Sequence, residues 1–459
     1  MGDKKIVVIG GGPGGYYAAI LASQLGGKVT LIEKDALGGT CTNRGCIPTK
    51  VILESASLLS RIKECNKFGI NVQNIKVNYK KIVQRKNEIV KQMSGGVATI
   101  LKKNKVEIIS GKAIIKDVKT VGITGSDVQV ETDNIIIATG SVPTIPLIDG
   151  INEENVMNSD DALEMQEIPK SLAIIGGGYV GVEFAQMLND LGCRCTIIEM
   201  MENILPTVDS EIANIYARHA TAKGIEIIVD AKVKKITRTK TAMKVAYQTK
   251  EGKKEKQVQK VIVAIGRKPV INKLGIEHIG IKTENGRIVV DRSMETNVKG
   301  IYAIGDVTGG IMLAHVAMAE AKCAIKNVFN NDIKMDYNTV PNCVYTTPEI
   351  ASVGLSENEA KKEYENIKVS RFPYIANGKA VILGETDGEI KIIADKRYGE
   401  IYGVHIIGPH ATELIAELAM AKQMEITTDM LSEIIHPHPT VSEGIVDAAL
   451  GLTGAAIHI

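Results

Sequence analysis

An α/β fold, with two nucleotide-binding units and a smaller α+β domain at the C-terminus, is predicted by three observations. An apolar strand, a glycine-rich turn and a helix occur twice, 166 residues apart. Three further apolar strands each close on a small residue and a glycine, and the last third of the chain reads as paired strands followed by helices. At 459 residues, 44% hydrophobic and 24% charged, the chain has material for about three domains, each with its own core.

The first copy runs IVVIGGGPGGYYAAI…LGGKVTLIE (6 to 33) and the second LAIIGGGYVGVEFAQ…LGCRCTIIE (172 to 199). Gly10, Gly12 and Gly15 stand in the first, Gly176, Gly178 and Gly181 in the second. The first glycine of each trio makes the tight turn, the second lets the backbone approach a pyrophosphate, and the third lets the helix pack on the strand. Phosphate then sits at the helix N-terminus, where free N–H groups and the helix dipole favour an anion. Glu33 and Glu199 each fall 18 residues after the third glycine, placed to accept hydrogen bonds from the ribose hydroxyls of an adenosine. A single glycine string often serves packing alone. Two copies, each with its acid at the same distance, point to two Rossmann-like domains and two bound dinucleotides.

The strands IIIATG (135 to 140), VIVAIG (261 to 266) and IYAIGD (301 to 306) end where a backbone can lie against a cofactor. Thr139, Gly140 and Gly266 are candidate contacts, and Asp306 is placed to bond a polyol chain such as the ribityl of a flavin. Residues 78 to 103 predict a long amphipathic helix, and residues 242 to 265 a hairpin turned by the polar run KEGKKEKQ. EIKIIAD (389 to 395) and IYGVHIIG (401 to 408) predict paired strands, with helices from about 411 to 424 and 428 to 435 after them.

Charge excludes some partners. A net charge of +2 from 55 basic and 53 acidic side chains gives no field favouring nucleic acid or an anionic membrane. No apolar run is long enough to span a bilayer, and a strand at 4 to 10 leaves no room for a signal peptide. Seven cysteines without regular spacing fit a reducing cytoplasm and one catalytic pair.

That pair is Cys41 and Cys46, in GGTCTNRGCIPTK (38 to 50). On a regular helix five residues rise about 7.5 Å and leave the side chains about 140° apart, whereas a disulfide needs Cα atoms within roughly 7 Å. A bridge therefore requires a distorted turn, which Gly45 permits, and such strain eases reduction. The competing reading is two unrelated buried thiols. Near the C-terminus, IIHPHPTVSEG (434 to 444) offers His438 as a proton acceptor. Thr440 and Glu443 fit a helix capping box, which competes with, but does not exclude, Glu443 orienting His438. His436 reads as structural. Lys50, just after Pro48, and Glu183, in the first helix of the second repeat, are expected to pair, because unpaired buried charges are costly.

In this order, GGGPGG with Glu33, GGTCTNRGCIPTK, ATG, GGGYVGVE with Glu199, AIGRKP (264 to 269), AIGDV with MLAH (303 to 315) and HPHPTVSEG run the whole chain. The set resembles the pyridine nucleotide-disulfide oxidoreductases, and within them the members that oxidise protein-bound dihydrolipoamide. The resemblance implies FAD on the first repeat and NAD on the second. It implies an FAD domain at 1–142 that resumes at 263–333, an NAD domain at 143–262, and at 334–459 the interface domain of a homodimer. Thr40 and Ala314 join the cofactor contacts.

Carried over, Cys46 is the thiol nearest the flavin and Cys41 the one that exchanges with substrate. Lys50 and Glu183 sit beside the flavin's reactive edge. His438, oriented by Glu443, acts across the dimer interface. Dihydrolipoamide, deprotonated by His438, attacks the Cys41–Cys46 disulfide, and electrons then pass to FAD and leave as hydride to NAD. The partner is a lipoyl-carrying protein of a 2-oxoacid dehydrogenase, acetoin dehydrogenase or glycine cleavage complex.

One position departs from the pattern: such enzymes often carry Asn-Val between the cysteines, and this chain has Asn43-Arg44. Glutathione reductase shares the plan but selects NADP with arginines, where this chain has Glu199, Met200, Met201 and Glu202. Mercuric reductase and the large thioredoxin reductases add a C-terminal thiol pair, whereas the last cysteine here is Cys343. A flavin-binding redox sensor without turnover would need no base.

Overall fold

The computed structural model describes residues 4–458, so the outermost residues of the first and last expected domains lie outside it. Two parallel sheets of five strands dominate. The first has the order Ile301–Ala303, Asn134–Ile137, Lys5–Ile9, Lys28–Glu33, Glu107–Ser110. The second has the order Val156–Asn158, Lys260–Val263, Ser171–Ile175, Arg194–Ile198, Glu226–Ile228. Their strands are near-continuous Ile, Val and Leu because a parallel sheet is covered on both faces; Ile6, Val7, Val8 and Ile9 are all buried.

The two sheets match strand for strand, with one difference in how the outer strand is supplied. In the first sheet it comes from far downstream, at Ile301–Ala303; in the second it comes from just upstream of the repeat, at Val156–Asn158.

Each unit also inserts a three-stranded antiparallel sheet, before Asn134–Ile137 in the first and before Lys260–Val263 in the second. In the first it is Ala113–Asp117, Thr120–Ile123, Gln129–Glu131, and in the second Lys232–Arg238, Met243–Thr249, Gly252–Val258. The hairpin expected at 242 to 265 forms between Met243–Thr249 and Gly252–Val258 and is shorter than expected. Only Lys250 and Glu251 turn; the rest of the polar run is the strand Gly252–Val258, and Lys260–Val263 leaves for the parallel sheet. The strand is an edge with most of its residues exposed. Lysines on such an edge discourage pairing with another chain, which is why its composition resembles a loop.

The long helix is Tyr79–Lys103, begun by the Asn78 side chain accepting from the Lys81 N–H. The C-terminal unit is a five-stranded antiparallel sheet, in the order Asn342–Val344, Glu349–Gly354, Ile401–Gly408, Glu389–Asp395, Ile367–Pro373. Helices Ala411–Gln423 and Glu443–Thr453 cover it. The helix expected at 428 to 435 ends at Ser432; Pro437 and Pro439 follow closely, and a residue before proline is pushed out of the helical region. Lys391, on the inner face of this sheet, is buried among Asp209, Glu211 and Glu357 at 2.9, 2.9 and 2.8 Å. Asp209 caps the helix Ser210–Ala222, so this ion cluster ties the C-terminal sheet to the second nucleotide unit. Among the described residues no helix is long and apolar enough to cross a membrane.

Candidate active site

The helix Gly39–Arg44 stops at Gly45 (φ −140°, ψ −110°), and a second helix, Cys46–Lys63, starts at once. Cys41 thus lies in a single short helical piece, while Cys46 is the first residue of an 18-residue helix. The break falls at the glycine, where a Cβ would stand 3.1 Å from the Thr40 carbonyl oxygen. The thiols interact directly. A hydrogen bond from Cys41 lowers the Cys46 thiol to about 7; desolvation opposes this, and the Lys50 ammonium adds to it. The same contact, with burial, pushes Cys41 up. Position adds to the asymmetry, since a thiolate at a helix N-terminus is stabilised by the unpaired N–H groups there. In the reduced pair the contact with Cys41 and the Lys50 charge both favour the thiolate on Cys46.

Lys50 lies one helical turn beyond Cys46. Its Nζ donates to both oxygens of Glu183, at 2.9 and 2.8 Å, and sits 4.5 Å from the centre of the Tyr345 ring. Glu183 is buried in the helix Tyr179–Asp190 and also accepts the Tyr345 backbone N–H at 3.1 Å. One turn along the same helix, Gln186 accepts the Thr347 N–H at 3.0 Å. Three distant stretches of chain therefore meet at the redox helix. Tyr345 and Gln186 were not singled out from the sequence; Gln186, three residues beyond Glu183, shares its helix face, which is a signal a helical reading carries. Arg44, by contrast, pairs with Asp35 at the surface.

The two glycine trios divide their labour in the same way. A Cβ on Gly10 would lie 2.3 Å from the Ala138 oxygen, and one on Gly15 1.8 Å from the Gly10 oxygen. In the second repeat, Gly176 would meet the Ala264 oxygen at 2.5 Å and Gly181 the Gly176 oxygen at 2.0 Å. Those four are required by the chain itself. The middle glycines are not: Gly12 and Gly178 have ordinary extended backbone (φ −72° and −76°), and a Cβ on either would touch nothing closer than 3.9 Å. Each caps a helix N-terminus with no side-chain cap. Open space against free amides fits a pyrophosphate approaching the backbone, so these residues suit a dinucleotide at each site.

The acids repeat as well. Glu33 accepts the Gly11 and Asp35 amides at 2.6 and 2.8 Å, and Glu199 those of Gly177 and Met201 at the same distances. Each carboxylate clamps its glycine loop and still has lone pairs for ribose hydroxyls.

Around the first site, Thr139 donates to the Val270 oxygen at 2.7 Å. Gly140 has φ +68°, and Gly266, which follows the strand Lys260–Val263 of the second sheet, has φ +119°, values that favour glycine. Asp306, in the short helix Gly305–Thr308, accepts from the Ser141 hydroxyl, which in turn accepts from Arg267 Nε at 2.7 Å. Ser141 and Arg267 escaped the sequence reading. Thr40 is half-buried on the helix Gly39–Arg44, and Ala314 opens the helix Ala314–Val328, where its N–H has no intrahelical acceptor.

At the other end of the chain, His438 Nδ1 lies 2.8 Å from Glu443 Oε1, and Glu443 Oε2 accepts the Thr440 N–H at 2.8 Å. Half of the capping box forms. Its other half does not, because the Thr440 hydroxyl donates to the Pro437 oxygen and Ser442 takes the cap position. Burial pushes the Glu443 carboxyl up, but the Thr440 amide and the His438 ring outweigh it and hold it below the usual carboxylate range. The His438 side chain is 79% exposed. Among the described residues, no hydrogen bond joins this dyad to either cysteine of its own chain. His436 is buried between the Ile434 oxygen and Glu417, at 3.0 and 2.9 Å.

A thiol pair beside a Lys–Glu pair whose carboxylate is buried, flanked by two dinucleotide cradles, defines a nucleotide-linked dithiol oxidoreductase. Residues 4–321 match the family model of the pyridine nucleotide-disulphide oxidoreductases, and residues 340–449 match the dimerisation domain of that family. The chain belongs to this family. It is 42% identical to a dihydrolipoyl dehydrogenase of Bacillus subtilis over 99% of both chains, and 41% identical to one of Thermus scotoductus over 100% of this chain and 99% of the other. Among solved structures it resembles the HOCl-induced flavoprotein disulfide reductase RclA from Escherichia coli, with a TM-score of 0.88, 28% identity, and 98% and 99% of the two chains covered.

Proposed function

We propose that this protein is an NAD-dependent dihydrolipoyl dehydrogenase that reoxidises dihydrolipoamide carried by a partner protein. The observation that carries the reading is the asymmetry of the thiols, Cys46 at the start of a helix beside Lys50–Glu183 and Cys41 before the break. Full-length relatives near 40% identity that are dihydrolipoyl dehydrogenases support it.

Thiol exchange then has a direction. A dihydrolipoamide thiolate attacks Cys41 Sγ, a mixed disulfide forms, and Cys46 leaves as thiolate. Cys46 is the better leaving group because its pKa is about 7. The second lipoamide sulfur displaces Cys41, closing the lipoamide ring and leaving the enzyme dithiol. His438 takes the proton of the attacking thiol, and Glu443, bonded to the other ring nitrogen, fixes which nitrogen is free to do so. A free thiol, with pKa about 8.5, is only a few per cent ionised at neutral pH, so a base is needed. The chemistry that FAD would supply here is acceptance of the electron pair from the reduced thiols and its transfer as hydride to NAD. Thr40, Lys50, Glu183, Thr139, Gly140, Asp306 and Ala314 line the FAD side, while Glu199 and Gly266 serve the NAD side. Glu199, followed by Met200, Met201 and Glu202, favours NAD over NADP.

The working unit is a homodimer, in which the exposed His438 serves the thiol pair of the partner subunit; the matched dimerisation domain supports this. The strand Ile301–Ala303 in the first sheet supports an FAD domain of 1–142 and 263–333 around an NAD domain of 143–262, with 334–459 as interface. The carrier belongs to a 2-oxoacid dehydrogenase, acetoin dehydrogenase or glycine cleavage complex, and the cysteine pattern suits the reducing cytoplasm. Steady-state assays test the reading: dihydrolipoamide with NAD should turn over rapidly, and glutathione disulfide with NADPH should not. The reverse preference would overturn it.

A further inference from the structure

Lys50 needs more than Glu183 to stay in place. Its side chain has four rotatable bonds and is about one-third exposed, and lysine loses much rotamer entropy when held in one geometry. Two of its three N–H donors reach Glu183. The remaining face of the ammonium lies over the Tyr345 ring at 4.5 Å, within the range at which a cation is attracted to the ring's negative face.

Tyr345 is itself fixed by backbone. It follows directly on the strand Asn342–Val344 of the C-terminal sheet, and its N–H bonds Glu183 while that of Thr347 bonds Gln186 one turn along. The Thr346 hydroxyl closes the loop onto the Pro348 oxygen at 2.7 Å. The backbone at Tyr345 therefore cannot move away without breaking contacts to the same carboxylate that holds the lysine, and the ring stands on that fixed backbone with 42% of the residue exposed. Its phenol is a poor candidate for chemistry of its own. Among the described residues the hydroxyl makes no hydrogen bond, and burial, with nearby acidic groups, pushes it up to about 12. What the residue offers is a π face and an amide.

We propose that Tyr345 is a positioning residue of the redox site: its ring and its amide together hold Lys50 on Glu183, where the lysine charge acts on Cys46. The inference rests on the dithiol reading above. It means that the C-terminal sheet, through one side chain, sets the ionisation of a sulfur in the first nucleotide unit. The charged and titratable groups facing that sulfur are Cys41, Lys50 and Glu183, and Tyr345 touches two of them.

The test uses flavin-loaded holoenzyme reduced by two electrons, and follows the long-wavelength thiolate–flavin absorbance against pH. Tyr345→Leu removes the ring and should raise the midpoint by about half a unit to one unit, a three- to tenfold loss of thiolate below the midpoint. Tyr345→Phe keeps the ring and should restore the unmodified midpoint. In a Lys50→Gln background, Tyr345→Leu should add nothing, because the ring acts only through the lysine. An unshifted midpoint in loaded Tyr345→Leu overturns the proposal, as does a shift that persists without Lys50. Should Tyr345→Leu bind flavin poorly, Tyr345→Met, a flexible side chain without a π face, is read by the same two criteria. Absence of the band at every pH in the unmodified enzyme would instead sink the dithiol reading, and this inference with it.

Discussion

Glu33 and Glu199, 166 residues apart, hold matching pairs of backbone amides at matching distances, one amide inside the glycine turn and one two residues beyond the acid. Glu199 is buried and holds the loop through these amides, and it is also the group proposed to meet ribose. Glu199→Ala should therefore do two things. Losing hydrogen bonds to a charged acceptor, worth roughly 1.5 to 3 kcal/mol, should narrow the NAD preference about ten- to a hundredfold. Release of the Gly177 and Met201 amides should also lower the melting temperature. Measuring kcat/KM with both nucleotides, beside a thermal melt, checks this; equal use of NAD and NADP by the unmodified enzyme would refute the specificity argument.

The middle glycines separate binding from folding. Gly178→Ala meets no protein atom within 4 Å, so the variant should fold with stability within about 0.5 kcal/mol of the unmodified chain. It should bind NAD far more weakly, since the methyl occupies the space a pyrophosphate needs. Gly181→Ala drives a Cβ to 2.0 Å from the Gly176 oxygen and should cost about 1 to 3 kcal/mol or more through forced backbone movement. Calorimetric NAD titration and melts on both variants would show the split, and a Gly178→Ala protein with normal NAD affinity would remove the cradle.

The thiolate has a defined pH window. The Cys46 thiol is lowered to about 7 in the reduced pair, below the ordinary cysteine value, so the thiolate persists as pH falls to about 7 and is lost by protonation below it. The long-wavelength band of the two-electron-reduced enzyme should fade over that interval. Cys46→Ser should abolish the band, while Cys41→Ser should leave a thiolate able to form it. A band surviving in Cys46→Ser would reverse the assignment of the sulfurs.

Removing a general base typically slows a reaction by 10²- to 10⁴-fold, so His438→Ala should lose most lipoamide turnover. NADH oxidation by an artificial dye should survive, because that route needs no proton from a dithiol. If His438 serves the other subunit, mixing Cys41→Ser and His438→Ala chains restores one intact site in each heterodimer. Random pairing makes about half the dimers mixed, giving roughly a quarter of normal activity from two inactive parents. No recovery in verified, flavin-loaded heterodimers would return His438 to its own subunit's site.

What was legible in the sequence was mostly local. Glycine spacing, a strand before it and an acid after it lie within one supersecondary unit, so both cradles could be read from short stretches. The Lys50–Glu183 contact spans 133 residues; charge says only that a lysine on a packed helix seeks a carboxylate, and the family resemblance pointed to which one. Tyr345 and Ser141 carry no such demand; an aromatic ring or a hydroxyl is satisfied in many places, and only the docking of distant segments brings them to Lys50 and to Arg267. Two errors were also local. The edge strand Gly252–Val258 is charged like a loop because edges are protected with charge. At Thr440–Glu443 the pattern could not say that Ser442 would displace the threonine from the cap.

The source of the outer strands has a consequence for how the chain is made. The second nucleotide unit owns all five of its strands between Val156 and Val263, so it can close its sheet as soon as that stretch leaves the ribosome. The first unit starts earlier but must keep Asn134–Ile137 as an open edge until Ile301–Ala303 arrives. Synthesis order and completion order are therefore inverted, and the nascent first unit carries an unsatisfied, apolar sheet edge while residues 138 to 300 are made. A chain terminated before residue 301 should be captured by chaperones through that edge, although its second unit is already whole.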